Sequence, residues 1–186
     1  MQKLFPIVPA LLFSVMLLGS CSKCDTPTIT QLKSEDRTWL PYEQGSSVRF
    51  VNESGETVLY TCTSATTAYV PAEGYSTADK CIDKQNTEAS CVIQDTKHQY
   101  PPLGMFILRS PADFIVQVAA ENSGSWKLDE QNPTYAILEV NGTAYNEVFE
   151  IKPDSTKPDG LKRLLYNKEQ GFISAAFYDG RLLQLE

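Results

Sequence analysis

The chain predicts an all-β, antiparallel fold, a β-sandwich or partly open β-barrel with a meander at its C-terminus. Three observations carry this. The apolar residues fall in short runs rich in β-branched and aromatic side chains, turn residues separate the runs, and the best helical candidates past the first twenty residues are broken by Gly or Pro within twelve residues. Residues 47–52, a Ser54-Gly55 turn and residues 56–63 make a first hairpin. A polar excursion over 64–86 leads to a strand at 87–96. After Pro101-Pro102, residues 104–109 and 113–120 read as two more strands, the second β-branched at its centre. In the C-terminal half, 135–140 and 143–152 flank Asn141-Gly142, a dipeptide suited to the type I′ turn because both central residues take positive φ. Residues 162–166, 172–178 and 181–185 form the closing meander, with Asp179-Gly180 as a second turn of the same type.

The first twenty residues carry an address. Lys3, the apolar run 10–18 and the small residues after it make a signal peptide whose core is too short to span a bilayer. Leu18-Gly19-Ser20-Cys21 resembles the lipobox of bacterial lipoproteins. That resemblance implies that Cys21 is acylated and becomes the first mature residue. A single acyl chain such as palmitate holds weakly, so the two or three of a lipoprotein make the anchor durable. Ser22, with no acid in its place, resembles the signal for the outer membrane over the inner one. Residues 21–36 are polar and poor in aromatics and read as a lipidated tether, leaving 37–186 as a single all-β domain.

The formal charge of the chain is −7, and without Lys3 the mature balance is 15 Lys+Arg against 23 Asp+Glu. So acidic a chain lacks the basic patches that nucleic acid or anionic lipid require, so membrane attachment falls to the lipid anchor alone. Removing Cys21 from the five cysteines leaves an even set, Cys24, Cys62, Cys81 and Cys91, which in an exported chain favours disulfides. Cys81–Cys91, enclosing a polar loop, is the first choice. Cys62–Cys91 across two strands is the alternative, and Cys24 pairs with a partner chain, with Cys62 or with Cys81. No C-x-x-C lies inside the domain and His98 is the single histidine, so neither a metal nor another cofactor is expected.

No catalytic residues are assigned. Gly74-Tyr75-Ser76-Thr77-Ala78 lacks the last glycine of a nucleophile elbow and sits in a polar loop. A hydrolase would need two convergent acids; the chain offers Asp129-Glu130, Glu147 and Glu150, and Asp154 and Asp159, no pair of which is seen to converge, and Glu147 or Glu150 is the replacement to test. Residues 154–160 form a polar turn without the alternating acids of a calcium loop. Trp39, Tyr75, Tyr100 and Trp126, read at strand edges and in loops, are the ligand-contact candidates.

Trp39-Leu40-Pro41-Tyr42 with Val48-Arg49-Phe50 and Gly55-Glu56-Thr57 lie near the start. Val140-Asn141-Gly142, Tyr145-Asn146 and Tyr166-Asn167-Lys168-Glu169-Gln170-Gly171-Phe172-Ile173 lie near the end. Together these two stretches resemble small Bacteroidetes-type outer-membrane lipoproteins of unassigned function. The resemblance implies a β fold and an envelope address and no catalytic residues. Asp154-Ser155-Thr156 resembles the short O-glycosylation acceptor of that phylum. The expected function is a lipid-anchored, non-enzymatic envelope domain that contacts a protein or glycan. A protective inhibitor of lytic enzymes or proteases, presenting a disulfide-bounded loop, and a weak carboxylate hydrolase are the alternatives.

Overall fold

The computed structural model describes residues 24–154 and 157–186; the leader 1–20, Cys21, Ser155 and Thr156 lie outside these. In the described residues the chain forms β1 (Thr28–Thr30), α1 (Ser34–Arg37), β2 (Ser47–Asn52), β3 (Thr57–Pro71), β4 (Lys84–Asp95), β5 (Leu103–Arg109) and β6 (Phe114–Ala120). It continues through β7 (Gly124–Leu128), β8 (Tyr135–Val140), β9 (Thr143–Ile151), β10 (Leu161–Asn167), β11 (Gly171–Phe177) and β12 (Leu182–Leu185). The all-β antiparallel class holds, as a strongly curled open sheet of 11 strands forming a half-barrel.

Two meanders build that sheet, β2 to β7 and β8 to β12. They are joined where β12 pairs antiparallel with β2, Leu183 opposite Asn52 and Leu185 opposite Phe50. Alternating strand direction then sorts the loops. β2, β4, β6, β9 and β11 all end at one rim, which gathers loops 53–56, 96–102, 121–123, 152–160 and 178–181. The opposite rim holds 72–83, 110–113 and 168–170.

Three local expectations change. The polar excursion at 64–86 is largely strand: β3 runs on to Pro71, paired residue by residue with β4 as far as Gln85. Its Thr, Ser and Ala side chains are mostly exposed, so no hydrophobic alternation marked it, yet such residues suit an extended backbone, and Thr66 and Ser90 hydroxyls meet across the ladder at 2.9 Å. A further strand, β7, pairs with β6. The turn at Asp179-Gly180 is not type I′, because Gly180 alone takes a positive φ there. Phe177 N–H bonds Arg181 O while Asp179 Oδ1 accepts the Arg181 N–H, which makes a three-residue loop closed by a left-handed glycine. Asn141 and Gly142 do take positive φ, 51° and 77°.

Residues 24–36, expected as a tether, are laid on the sheet. Cys24 is disulfide-bonded to Cys81, so the bond expected between Cys81 and Cys91 does not form; β4 carries Cys91 into the core, away from the 72–83 loop. β1 then pairs parallel with Lys84–Asn86, extending the line of β5 past its end, and Thr87 Oγ1 donates to Thr30 O at 2.7 Å. In α1 the Asp36 carboxylate, 2% exposed, accepts the Lys33 N–H at 2.8 Å and Arg109 Nε–H at 2.9 Å, and also pairs with the Arg109 terminal nitrogen. This ion pair ties the N-terminal segment to the end of β5.

The segment that follows fills the trough of the half-barrel. Trp39 is buried, its ring stacked parallel to Tyr166 at 6.2 Å and tilted against Phe149 at 5.5 Å, and the Tyr166 hydroxyl donates to Trp39 O. Tyr42 lies against Gly171, its hydroxyl donating to Gln170 O and accepting the Phe172 N–H. A second, smaller core lies on the opposite face. There Val140, Tyr145 and Val148 pack on Leu165 and Ile173, because β9 bends at Glu147 (φ 49°). Asn167 secures the bend: its amide donates to Asn146 O, and Oδ1 accepts the N–H groups of Glu169 and Gln170.

Burial works to raise the Asp36 carboxyl, but Arg109 and the Lys33 N–H outweigh it and hold the group below its ordinary value. A carboxyl depressed on folding adds stability above its unfolded value near ~4 and loses it as pH falls through the lower folded value. Asp36→Asn is therefore expected to cost about 3 kcal/mol at pH 7 in urea denaturation and to flatten the decline in stability at acid pH. At Gly171 (φ +81°) an added Cβ would lie 2.4 Å from the Tyr42 hydroxyl oxygen. Gly171→Ala must displace that ring and strain the backbone, an expected loss of about 3 kcal/mol, whereas Gly142→Ala, with open space around it, pays only for its φ, about 1 kcal/mol.

Candidate functional site

The rim where β4, β6, β9 and β11 end surrounds a cleft of about 510 Å³. Its organising residue is Asp95, 1% exposed at the end of β4. The carboxylate accepts the N–H groups of Lys97 at 2.9 Å, Gln99 at 2.8 Å and Tyr100 at 3.3 Å, which winds the 96–102 loop around one side chain. His98 takes a left-handed φ of 56° at the tip, and Gln94 Nε2 donates to its Nδ1 at 2.9 Å. Farther along, Tyr60 hydroxyl donates to Pro101 O at 3.0 Å, pinning the loop to the core.

The floor is aromatic and is covered by a cation. Tyr100 and Phe177 rings lie 6.2 Å apart, and the Arg181 guanidinium sits 4.8 Å from the Phe177 centroid and 5.6 Å from that of Tyr100. Arg181 is held in place by donating to Asp179 Oδ2 at 2.7 Å and to Gln99 O at 3.0 Å. Desolvation works to raise the Asp179 carboxyl, but the Arg181 amide and guanidinium keep it below its ordinary value. Burial pushes the Tyr100 hydroxyl up, so it stays protonated at neutral pH. Glu121, Asn122 (φ 61°) and Asp159 complete the wall, and Lys157 Nζ donates to Asn122 O at 3.4 Å. The result is a ring of amides and carboxylates above a partly covered aromatic base.

Of the aromatic candidates, Tyr100 lines this cleft, 7% exposed. Trp39 is in the core rather than at an exposed edge, with Lys168 Nζ 5.3 Å from its ring centroid. Tyr75 is half-buried in the 72–83 loop at the opposite rim, and Trp126 is half-buried on β7, packed against the core. The structure does not bring these four together. Burial of Trp39 and Tyr100 has a common cause: the curl leaves a trough that large rings must fill. The sequence reading missed Gln94, Gln99, Asn122 and Arg181; the one available signal was His98 beside Tyr-Pro-Pro in a tight loop after a strand.

Of the acids considered for hydrolysis, Asp159 lines the cleft, whereas Glu147 and Glu150 stand apart from it. Burial works to raise Glu150, yet Lys152 at 2.8 Å, the Tyr135 hydroxyl at 2.9 Å and Arg163 at 2.8 Å hold it below its ordinary value. An acid so held is ionised at neutral pH and has no proton to donate. Glu147 is exposed at the bend of β9. No family model, no curated protein and no solved structure matches this chain.

Asp95→Ala leaves three loop N–H groups without their acceptor. The expected outcome is a loss of about 3 kcal/mol in thermal or urea unfolding, with faster amide exchange confined to 97–100.

Proposed function

We propose that the chain is a lipid-anchored, non-enzymatic binding domain of the cell envelope, fixed to the outer membrane through Cys21 and contacting another envelope component, a protein or a glycan, at the rim cleft. The observation that carries the reading is the disulfide between Cys24 and Cys81. It ties the residue three places after the proposed anchor to the rim opposite the cleft. Cys81 lies just before β4 and His98 just after it, so the length of β4, roughly 35 Å at the rise of a strand, separates them. A domain clamped in this way turns its cleft away from the lipid surface.

The chemistry of the cleft favours a neutral, hydroxyl-rich ligand. Gln94, Gln99 and Asn122 carry paired donors and acceptors, Glu121 and Asp159 accept, and Tyr100 adds an aromatic ring to the lining. The wall carries acids and bases in near balance, so it has no field that would draw a polyanion. The inhibitor alternative loses its basis in a Cys81–Cys91 loop, since Cys81 is bonded elsewhere.

In-cell crosslinking and pull-down of the full chain, with Cys21→Ala as the unanchored control, tests the reading. A stoichiometric envelope partner that is lost in the control and weakened at least about tenfold by Gln99→Ala or Asn122→Ala, or retention of a glycan with the same sensitivity, is expected. Measurable hydrolysis of glycan or peptide substrates by the purified chain, or a Cys21→Ala form that stays in the membrane fraction, overturns it.

A further inference from the structure

We propose that Cys62 and Cys91 form a second disulfide, laid across β3 and β4 inside the core and closed while the chain folds. In the structure both are free thiols in hydrogen-bond contact, with the two sulfurs 2.9 Å apart and each residue 1% exposed. That separation is shorter than the about 3.5–4.0 Å optimum of non-bonded heavy atoms and within an ångström of a bonded pair at about 2.05 Å. The backbone creates the approach. Cys62 lies opposite Ile93 and Cys91 opposite Ala65, a diagonal relation that in a regular ladder keeps side chains about 7 Å apart. A bulge between Cys62 and Ser64 breaks the register at that place and brings the Cys62 side chain over to Cys91. Gln44 repairs the ladder there, its Nε2 donating to Thr63 O at 3.0 Å and its Oε1 accepting the Ala65 N–H at 2.7 Å.

Closure takes two electrons and two protons from the thiols and passes them to a disulfide oxidant, which leaves as two thiols. Exchange runs through a thiolate, and burial pushes the Cys91 thiol far up. The bond therefore closes before the core does, and the finished sheet then shields it. Cys24–Cys81 is the opposite case, with Cys24 exposed at the rim. One chain thus carries two bonds of unequal access, a labile one beside the proposed anchor and an inert one in the core. This inference does not depend on the rim cleft or on what binds there.

The test refolds the purified full chain in a buffer of oxidised and reduced glutathione, alkylates it with iodoacetamide in urea without reductant, and maps the peptides by mass spectrometry. A crosslinked pair containing Cys62 and Cys91 is expected, with neither cysteine alkylated. It is expected again in the Cys24→Ser/Cys81→Ser variant, where no other pair of the domain can form. In the native protein, dithiothreitol is expected to open Cys24–Cys81 at least about 100-fold faster than Cys62–Cys91. Alkylation of both Cys62 and Cys91 after refolding, or their linkage to other cysteines, overturns the proposal. So does equal reduction of the two bonds in the native state, since the shielding would then be absent.

Discussion

The contact between Trp39 and Tyr166 is the one on which the half-barrel depends. A sheet curled this strongly presents Phe50, Tyr60, Met105, Leu164 and Phe172 to a common trough, and a trough left open would keep that surface wet. Among the described residues no second sheet covers it. A single segment of chain does so, entering by α1 and laying Trp39 flat on Tyr166, with Leu40 and Tyr42 behind. Burying a tryptophan of this kind contributes about 3–5 kcal/mol, and its carbonyl and the Tyr42 hydroxyl are each bonded to the sheet, so the plug carries its polar groups in satisfied form.

The plug in turn accounts for features that look separate. Gly171 lacks a side chain because Tyr42 occupies its place. Asp36, buried against Arg109, fixes the segment at its entry, three residues ahead of Trp39. The disulfide and β1 continue the same restraint toward the N-terminus. A chain that enters at one rim leaves the other free, and there the loops after β4, β6, β9 and β11 converge on a cleft lined with polar side chains. Division of the half-barrel into a docked end and an open end follows from strand alternation and from where the N-terminal segment lies.

Much of the fold was legible because turns act locally. Asn141-Gly142 takes positive φ at both positions whatever surrounds it, and Asn52 bonds its own hairpin through Oδ1 to Ser54 and Glu56 N–H groups. The lower half of β3 was illegible because sequence patterning reports burial, and a strand exposed on both faces has none to report. For the candidate site the limit is different. Gln94 lies near the end of β4 while Gln99, Asn122 and Arg181 come from three loops, and nothing in their local sequences says that these segments meet.

By itself, then, the sequence determined the all-β antiparallel class, most of the turns and the even set of domain cysteines, since each rests on short-range backbone preference or on composition. Tertiary structure alone decided that the sheet is a half-barrel, that Trp39 is core, that Cys24 bonds Cys81, and which loops share the open rim. Those outcomes depend on pairing β12 with β2 and on the curl that follows, contacts between residues more than a hundred positions apart that no local pattern encodes.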